Sequence, residues 1–476
     1  MAAGHFCIKK ISATYSADGN RLATVTDSAG NTVHYGYSSG VSTMWGLPSS
    51  VQDPAGTTVY YTYDTYGRIA TTGIANKASL GYNYTEGNLT SVVRTNTSDN
   101  ATQTYNMTYD GFSNMTSMKV GSRTLATYTY GARNGPMLTA TDGNGRTTYY
   151  TYDVLGRPLT VKDANTADGK GLKYTYNSNG QLASAEEVGY GWNVHWNNTY
   201  DSQGRRIGVS QYHIQYALFS GYYTYDGSSR LVSEDWRVVD SAKYGNAYVY
   251  NSADGSLATM FHSSGQASLY EYDELQRLRE INSEIHTRNY TYRDISSTQT
   301  TTQVSGLTYS MPNGTLTFGY TYDSRGNIAT YAQTGEGTVT YTYDAQGQLL
   351  KAQGDTTYTY TYDNVGNILS ASDGTTSHSY TYTDDKGWRD LLTAYDGVEI
   401  TYDSAGNPLS YYNGTSWNFV WGKLGRLDRA YNNGIDVALY YTEDGLRTAK
   451  TVNGSTTTVY RDAYPPGTTH ERARPE

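Results

Sequence analysis

The residues best able to do chemistry recur at one place in a short repeated phrase. Asp64, Asp153, Asp323, Asp344, Asp363 and Asp403 each follow a tyrosine and precede, three residues on, a glycine: Gly67, Gly156, Gly326, Gly347, Gly366 and Gly406. Carboxylates repeated at a fixed offset from glycine are one way to build calcium sites. Here each unit supplies a single carboxylate, beside a glycine that needs a turn partner. Aspartate accepts hydrogen bonds from turn amides, which is reason enough for its presence. The twelve residues therefore read as structural turn residues, with no metal and no cofactor.

Arg68, Arg157, Arg205, Arg230, Arg277 and Arg426 follow the turns. From there they can pair with the repeat Asp of a neighbouring hairpin or stack on tyrosine. Asn and Gln replace them in other units, which argues against a stripe built for polysaccharide or nucleic acid. The eight His are scattered, and none forms a metal-ligand pair with a second His or Cys. No nucleophile elbow, phosphate loop or His-Glu-x-x-His string is present, so no catalytic residue is proposed and the chain is not read as an enzyme. The net charge of −9, with no Lys/Arg cluster, speaks against nucleic acid. The single Cys7 excludes a disulfide framework and a cysteine zinc site. No apolar run approaches the ~20 residues of a membrane span. Met1 to Lys10 has no apolar core and does not read as a signal peptide.

Stepping outward, the elements that hold these residues are strands and turns. Fifty-two Tyr against six Phe, with 50 Gly and nine Pro, point to many short strands joined by glycine turns. Tyr358, Tyr360 and Tyr362 alternate with Thr357, Thr359 and Thr361, so aromatics line one face and hydroxyls the other. Asp363 suits the first position of a type I turn, and Gly366 the left-handed position that closes it. Turn glycines at 326, 347, 366, 387, 406, 425 and 445 are 19 to 21 residues apart. Between them sit tight turns such as Asp373-Gly374, Asp396-Gly397 and Asn433-Gly434. One sheet edge thus carries the Asp-x-x-Gly turns and the other the short ones.

Open sheets rarely exceed ~10 strands without curling. The expected fold is all-β: a long antiparallel β-hairpin repeat sheet coiled into a spiral. The repeats occupy residues 1–462, with an irregular stretch around 281–318. Residues 463–476, after Pro465-Pro466 stops the last strand, read as a disordered or truncated tail. The tyrosine ladders admit a sugar-binding surface or cross-strand packing. Their presence in nearly every unit favours packing.

The phrase Tyr-x-Tyr-Asp-x-x-Gly-Arg/Asn/Gln-x-Leu/Ile, as at Tyr150 to Leu159, Tyr320 to Ile328, Tyr341 to Leu349 and Tyr360 to Ile368, resembles the YD repeat of the RHS family. The resemblance covers nearly all of residues 11 to 462. That family includes bacterial RHS polymorphic toxins, WapA-like wall-associated proteins, toxin-complex C components and teneurin YD shells. The resemblance implies a spiral sheet wound into a hollow YD shell around a C-terminal toxin, which an Asp-Pro-x-Gly-rich core segment releases by self-cleavage. This sequence has no such segment after Gly445 and no toxin domain. Asp53-Pro54-Ala55-Gly56 precedes a strand and reads as an ordinary turn.

The implied function is a non-catalytic shell fragment of a secreted or bacterial cell-surface protein. Its partner is the toxin or effector of the parent chain, absent here. The alternative is a glycan- or receptor-binding adhesion module.

Overall fold

The computed structural model describes residues 11–38, 46–165, 169–189, 193–213, 216–238, 243–296, 299–383, 385–422, 425–441, 447–461 and 471–473. Among them there is no α-helix, and the all-β expectation of long antiparallel hairpin runs holds. Strands form where Tyr and Thr alternate, because aromatic and β-branched side chains fit a pleated surface. Thr357–Tyr362 pairs with Ile368–Ser372, placing Tyr360 opposite Ala371 and Thr361 opposite Ser370. The register then shifts, so that Tyr362 faces Ile368. The same shift falls at Tyr63, Tyr152, Tyr322 and Tyr343. One extra residue on the return strand is what a type I turn closed by a left-handed residue requires. On the hydroxyl face, Thr151 meets Thr160 at 2.7 Å and Thr361 meets Ser370 at 2.6 Å.

The chain forms two compact units, residues 1–105 with 267–382 and residues 106–266 with 383–476. In the first, consecutive antiparallel pairs run from Ser12–Tyr15 to Asn88–Asn96. A second run goes from Ala267–Tyr272 to Ser377–Tyr382. In the second unit one run goes from Met115–Val120 to Leu257–His262. Later hairpins follow from Leu392–Tyr395 to Ser455–Arg461. The stretch around 281–318 pairs Thr287–Ser296 with the 13-residue strand Gln299–Met311 through three register shifts. At the end, Glu471–Ala473 pairs with Ser455–Arg461. The other residues of 463–476, and Met1 to Lys10 with Cys7, lie outside the described residues.

Within each unit two courses of hairpins meet edge to edge. In the first, Arg325 of the Asp323–Gly326 turn donates from Nε to Asp53 Oδ2 at 2.6 Å. Lys77 Nζ lies 3.9 Å from Asp344 Oδ2. In the second, Ser122 N donates to Lys386 O at 2.8 Å, and Asn144 Nδ2 to Asp403 Oδ2 at 2.8 Å. Arg146 Nη1 donates to Gly422 O at 2.6 Å. These partners are 259 to 276 residues apart in sequence. The edge of the earlier course that faces the seam mixes tight turns, as at Gly121, with further Asp-x-x-Gly turns at Asp53–Gly56 and Asp142–Gly145, so the two kinds of turn are not segregated to opposite edges as the sequence suggested. The approach is close: a Cβ on Gly387 would sit 2.6 Å from Gly121 Cα.

Burial is concentrated in the second unit, in two clusters. Leu172, Tyr174, Ala185 and Trp196 form one, and Val209, Phe219, Tyr223 and Trp236 the other. Trp236 stacks on Phe219 at 5.0 Å and meets Tyr223 edge-on. Its ring also covers Gly221, where a Cβ would come within 2.8 Å of Trp236 Cζ3. Glycine is therefore the residue that lets the indole lie on the strand.

Candidate functional site: the Asp-x-x-Gly turn edge

Each turn is built from its aspartate. The amides of Asp64, Asp153, Asp323, Asp344, Asp363 and Asp403 each donate to the carbonyl four residues on, at 2.9 Å. The carbonyls accept from the amides of Gly67, Gly156, Gly326, Gly347, Gly366 and Gly406 at 3.0 to 3.3 Å. These six glycines have φ between 77° and 100°. Each Oδ1 accepts the amides two and four residues ahead at 2.8 to 3.0 Å. Asp53-Pro54-Ala55-Gly56 has the same bonds: its Oδ1 accepts Ala55 N at 3.0 Å and Thr57 N at 2.8 Å.

The second carboxylate oxygen holds the residue after the glycine. Arg68 Nε reaches Asp64 Oδ2 at 2.7 Å, and Arg157 Nε reaches Asp153 Oδ2 at 2.6 Å. Asn327, Asn367 and Asn407 replace arginine at 2.9 to 3.0 Å. The sequence left two partners open for these arginines, the Asp of a neighbouring hairpin or a tyrosine face; the tyrosine stacking is seen, but the Asp is a different one. These arginines bind the Asp of their own turn, because the left-handed glycine folds the fifth residue back beside the first. Desolvation pushes the carboxyls of Asp64, Asp153, Asp201 and Asp273 up. Hydrogen bonds from the arginine side chains and turn amides outweigh it and hold them below the usual carboxylate range.

The arginine then reaches the next hairpin. Arg68 lies over the Tyr84 ring at 4.1 Å, Arg157 over Tyr176 at 4.3 Å, Arg230 over Tyr250 at 4.6 Å and Arg277 over Tyr292 at 4.1 Å. The hydroxyl of the same tyrosine donates to the first carbonyl of the preceding return strand. Tyr176 reaches Pro158 O, Tyr250 reaches Leu231 O and Tyr292 reaches Leu278 O, each at 2.8 Å. Tyr343 and Tyr362 bond the same way without an arginine, at 2.8 and 2.9 Å, and Tyr322 reaches Val304 O inside the long strand Gln299–Met311 at 2.6 Å. Burial raises the pKa of all six hydroxyls above the ordinary tyrosine value.

The turn position itself tolerates exceptions. Ser113, Ser229 and Gln276 stand where other units have glycine, with φ of 67°, 64° and 61°. Two features escaped the sequence. The tyrosine hydroxyl's partner is a backbone carbonyl, which carries no residue signature. Arg325 occupies an interior turn position held elsewhere by Tyr66, Leu155 or Val365, so nothing in its own unit marks its role. Among the described residues no group of three or more His, Cys, Asp or Glu is placed to hold a metal ion. No helix of the described residues is long and apolar enough to cross a membrane.

Hairpins that share a turn chemistry and are stapled one to the next make this a YD-repeat array. Residues 315–468 match the family model described as Teneurin YD-shell, in keeping with the YD-repeat resemblance of the sequence. Among solved structures, the fold is similar to TcdB2-TccC3, with a TM-score of 0.51 at 15% identity over 98% of this chain and 30% of that one. It is also similar to TcdB2-TccC3-TEV, with a TM-score of 0.53 at 15% identity over 98% of this chain and 27% of that one. The Tc holotoxin pore of Photorhabdus luminescens, carrying a TccC3 mutation, gives a TM-score of 0.50 at 14% identity over 98% and 30%. The chain thus spans less than a third of the length of these structures. At such identities the likeness is one of fold. No curated protein matches the sequence significantly.

Proposed function

We propose that this chain is a non-catalytic part of the shell of a secreted or surface-displayed RHS-type protein, whose parent encloses or presents a toxin or effector. The match of residues 315–468 to a YD shell carries this reading. The fold likeness to TcdB2-TccC3 over 98% of the chain supports it. In this reading the repeat aspartates and glycines, Asp64 and Gly67 through Asp403 and Gly406, are structural turn residues. Their carboxylates are spent on their own turns, which leaves little for chemistry on a substrate. The adhesion alternative draws less support, because most tyrosines before the repeat Asp, such as Tyr63, Tyr225, Tyr322, Tyr343, Tyr362 and Tyr402, use the hydroxyl on a backbone carbonyl of the adjoining hairpin.

Protease protection tests the shell role. An unfolded reporter polypeptide fused after Glu476 is expected to resist digestion while the repeats stay folded. It should become sensitive when they are denatured. Cleavage at the rate of the free reporter would sink the proposal.

A further inference from the structure

Two Asn-Gly pairs of the second unit occupy the same place in the same kind of turn. In Asp142-Gly143-Asn144-Gly145 and in Asn177-Ser178-Asn179-Gly180 the asparagine comes just before the left-handed glycine, whose φ is 80° and 82°. The backbone bonds match as well. Gly145 N donates to Asp142 O at 3.0 Å, and Gly180 N to Asn177 O at 2.9 Å. The amide of each asparagine donates to the side chain that opens its turn, at 2.9 and 3.0 Å. Asn-Gly is the pair most prone to lose ammonia, because glycine puts no side chain in the way of its own amide nitrogen. With the backbones alike, the surroundings of the two side chains set their rates apart.

Those surroundings are opposite. Asn179 is exposed, and its side chain makes no hydrogen bond among the described residues. Asn144 is held by the facing course at both ends of its amide. Its Nδ2 donates to Asp403 Oδ2 at 2.8 Å, and its Oδ1 accepts from Ala405 N at 3.2 Å. The two turns are pressed together: a Cβ on Gly143 would come within 2.8 Å of Ala405 Cα. Arg146, next after Gly145, donates from Nη1 to Gly422 O at 2.6 Å. To react, Asn144 Cγ must swing onto the Gly145 nitrogen. That breaks both bonds to the later course, and the turn bond to Asp142 O with them.

We propose that Asn144 is a self-modification site, sealed while the two courses meet and reactive when they part. In the open state the Gly145 amide nitrogen gives up its proton and bonds to Asn144 Cγ. Nδ2 takes a proton and leaves as ammonia, closing a succinimide. Water opens that ring at one carbonyl to give aspartate. At the other it gives isoaspartate, which lengthens the main chain by one carbon. Either product bars reclosure. A donor has become a carboxylate facing the half-buried Asp403, and like charges so placed repel. Asp403 is not free to turn away, since its Oδ1 accepts the amides of Ala405 and Asn407 at 3.0 and 2.8 Å. The seam thus keeps a chemical record of having opened.

Peptide mass mapping of the full chain, held for days in mildly alkaline buffer, tests this. In the folded chain Asn144 is expected to convert at least about tenfold more slowly than Asn179, because its reaction waits on local opening. In urea the two should convert at the same rate. Arg146→Ala removes one bond across the seam, and should speed Asn144 while leaving Asn179 unchanged. The effect of the product is read by substitution. Asn144→Asp should quicken hydrogen exchange at Ser122 N, which donates to Lys386 O at 2.8 Å across the same seam, whereas Asn179→Asp should not. Adding Asp403→Asn to Asn144→Asp removes the facing charge and should slow that exchange again. Asn177 shows that asparagine can open such a turn, accepting Gln181 N at 2.9 Å. Equal rates at Asn144 and Asn179 in the folded chain would overturn the proposal, as would a difference that persists in urea. So would exchange at Ser122 that ignores Asn144→Asp.

Discussion

Arg325 Nε donates to Asp53 Oδ2 at 2.6 Å, joining residues 272 positions apart. The same guanidinium donates from Nη1 to Asp344 O at 2.8 Å, in the turn of the next hairpin. One side chain therefore ties two courses and two neighbouring turns of the first unit. Arg325→Ala and Asp53→Ala should each lower stability, with a coupling of about 0.5–2 kcal/mol between them. A double-mutant cycle from urea titrations measures it. Strictly additive losses would mean that the pair contributes nothing beyond its separate parts.

Gly366 has φ of 100°, and the left-handed region costs an L-residue about 1–2 kcal/mol. Gly366→Val should lose at least that much, and Gly366→Asn less, because asparagine tolerates the conformation. The reverse change is informative at Ser229, whose φ is 64°. Ser229→Gly should stabilise by about 0.5 kcal/mol. Thermal melts of the three variants check the order. The loss at Gly366 should stay local, because repeats touch mainly their neighbours.

Tyr250 separates the two halves of the staple. Tyr250→Phe keeps the ring under Arg230 but removes the bond to Leu231 O, and should cost about 0.5–1.5 kcal/mol. Tyr250→Ala removes both and should cost more. Hydrogen exchange at the amides of Leu231–Val238 should quicken in both variants. Unchanged exchange in the Phe variant would mean that the hydroxyl is not a staple.

Two pH windows follow from the turns and the staples. The lowered aspartates contribute stability above the unfolded value of about 3.9, and it is lost as pH falls through their folded values. Asp373 goes last: the Thr376 amide, then the hydroxyl and amide of Thr375, bring its carboxyl down to about 2. At the other end, burial raises the staple tyrosines, whose stability is present below about pH 10 and lost as pH rises through their folded values. Burial and the bond to Glu234 push Tyr248 up to about 12. Circular dichroism against pH should show acid unfolding between about 2 and 4 and alkaline unfolding between about 10 and 12. Full stability at pH 12 would mean that the hydroxyls carry no load.

Much of this was legible because the repeat is local. Tyr358 to Ile368 contains its own strand, turn and return, so alternation and glycine placement were enough to read the hairpin. The turn at Ser113 could be located from its phase, although its residue type argues against a left-handed place. What the sequence hid was everything that crosses between hairpins or courses. The partner of Tyr250 is a carbonyl that any residue offers, and the partner of Arg325 lies 272 positions away. Arg157 was visible, but the choice between its own Asp and a neighbour's depended on how the left-handed glycine aims the fifth residue.

The tyrosine staple also has a direction. Tyr176 bonds to Pro158, Tyr250 to Leu231 and Tyr362 to Leu349: the donor always lies later in the chain than the carbonyl it serves. During synthesis each hairpin therefore emerges from the ribosome before the residue that fastens it. The most recently made hairpin is always the loosest, and every new one secures the last. Such an array assembles like a zip drawn from the amino end, with one unfastened tooth at its growing tip.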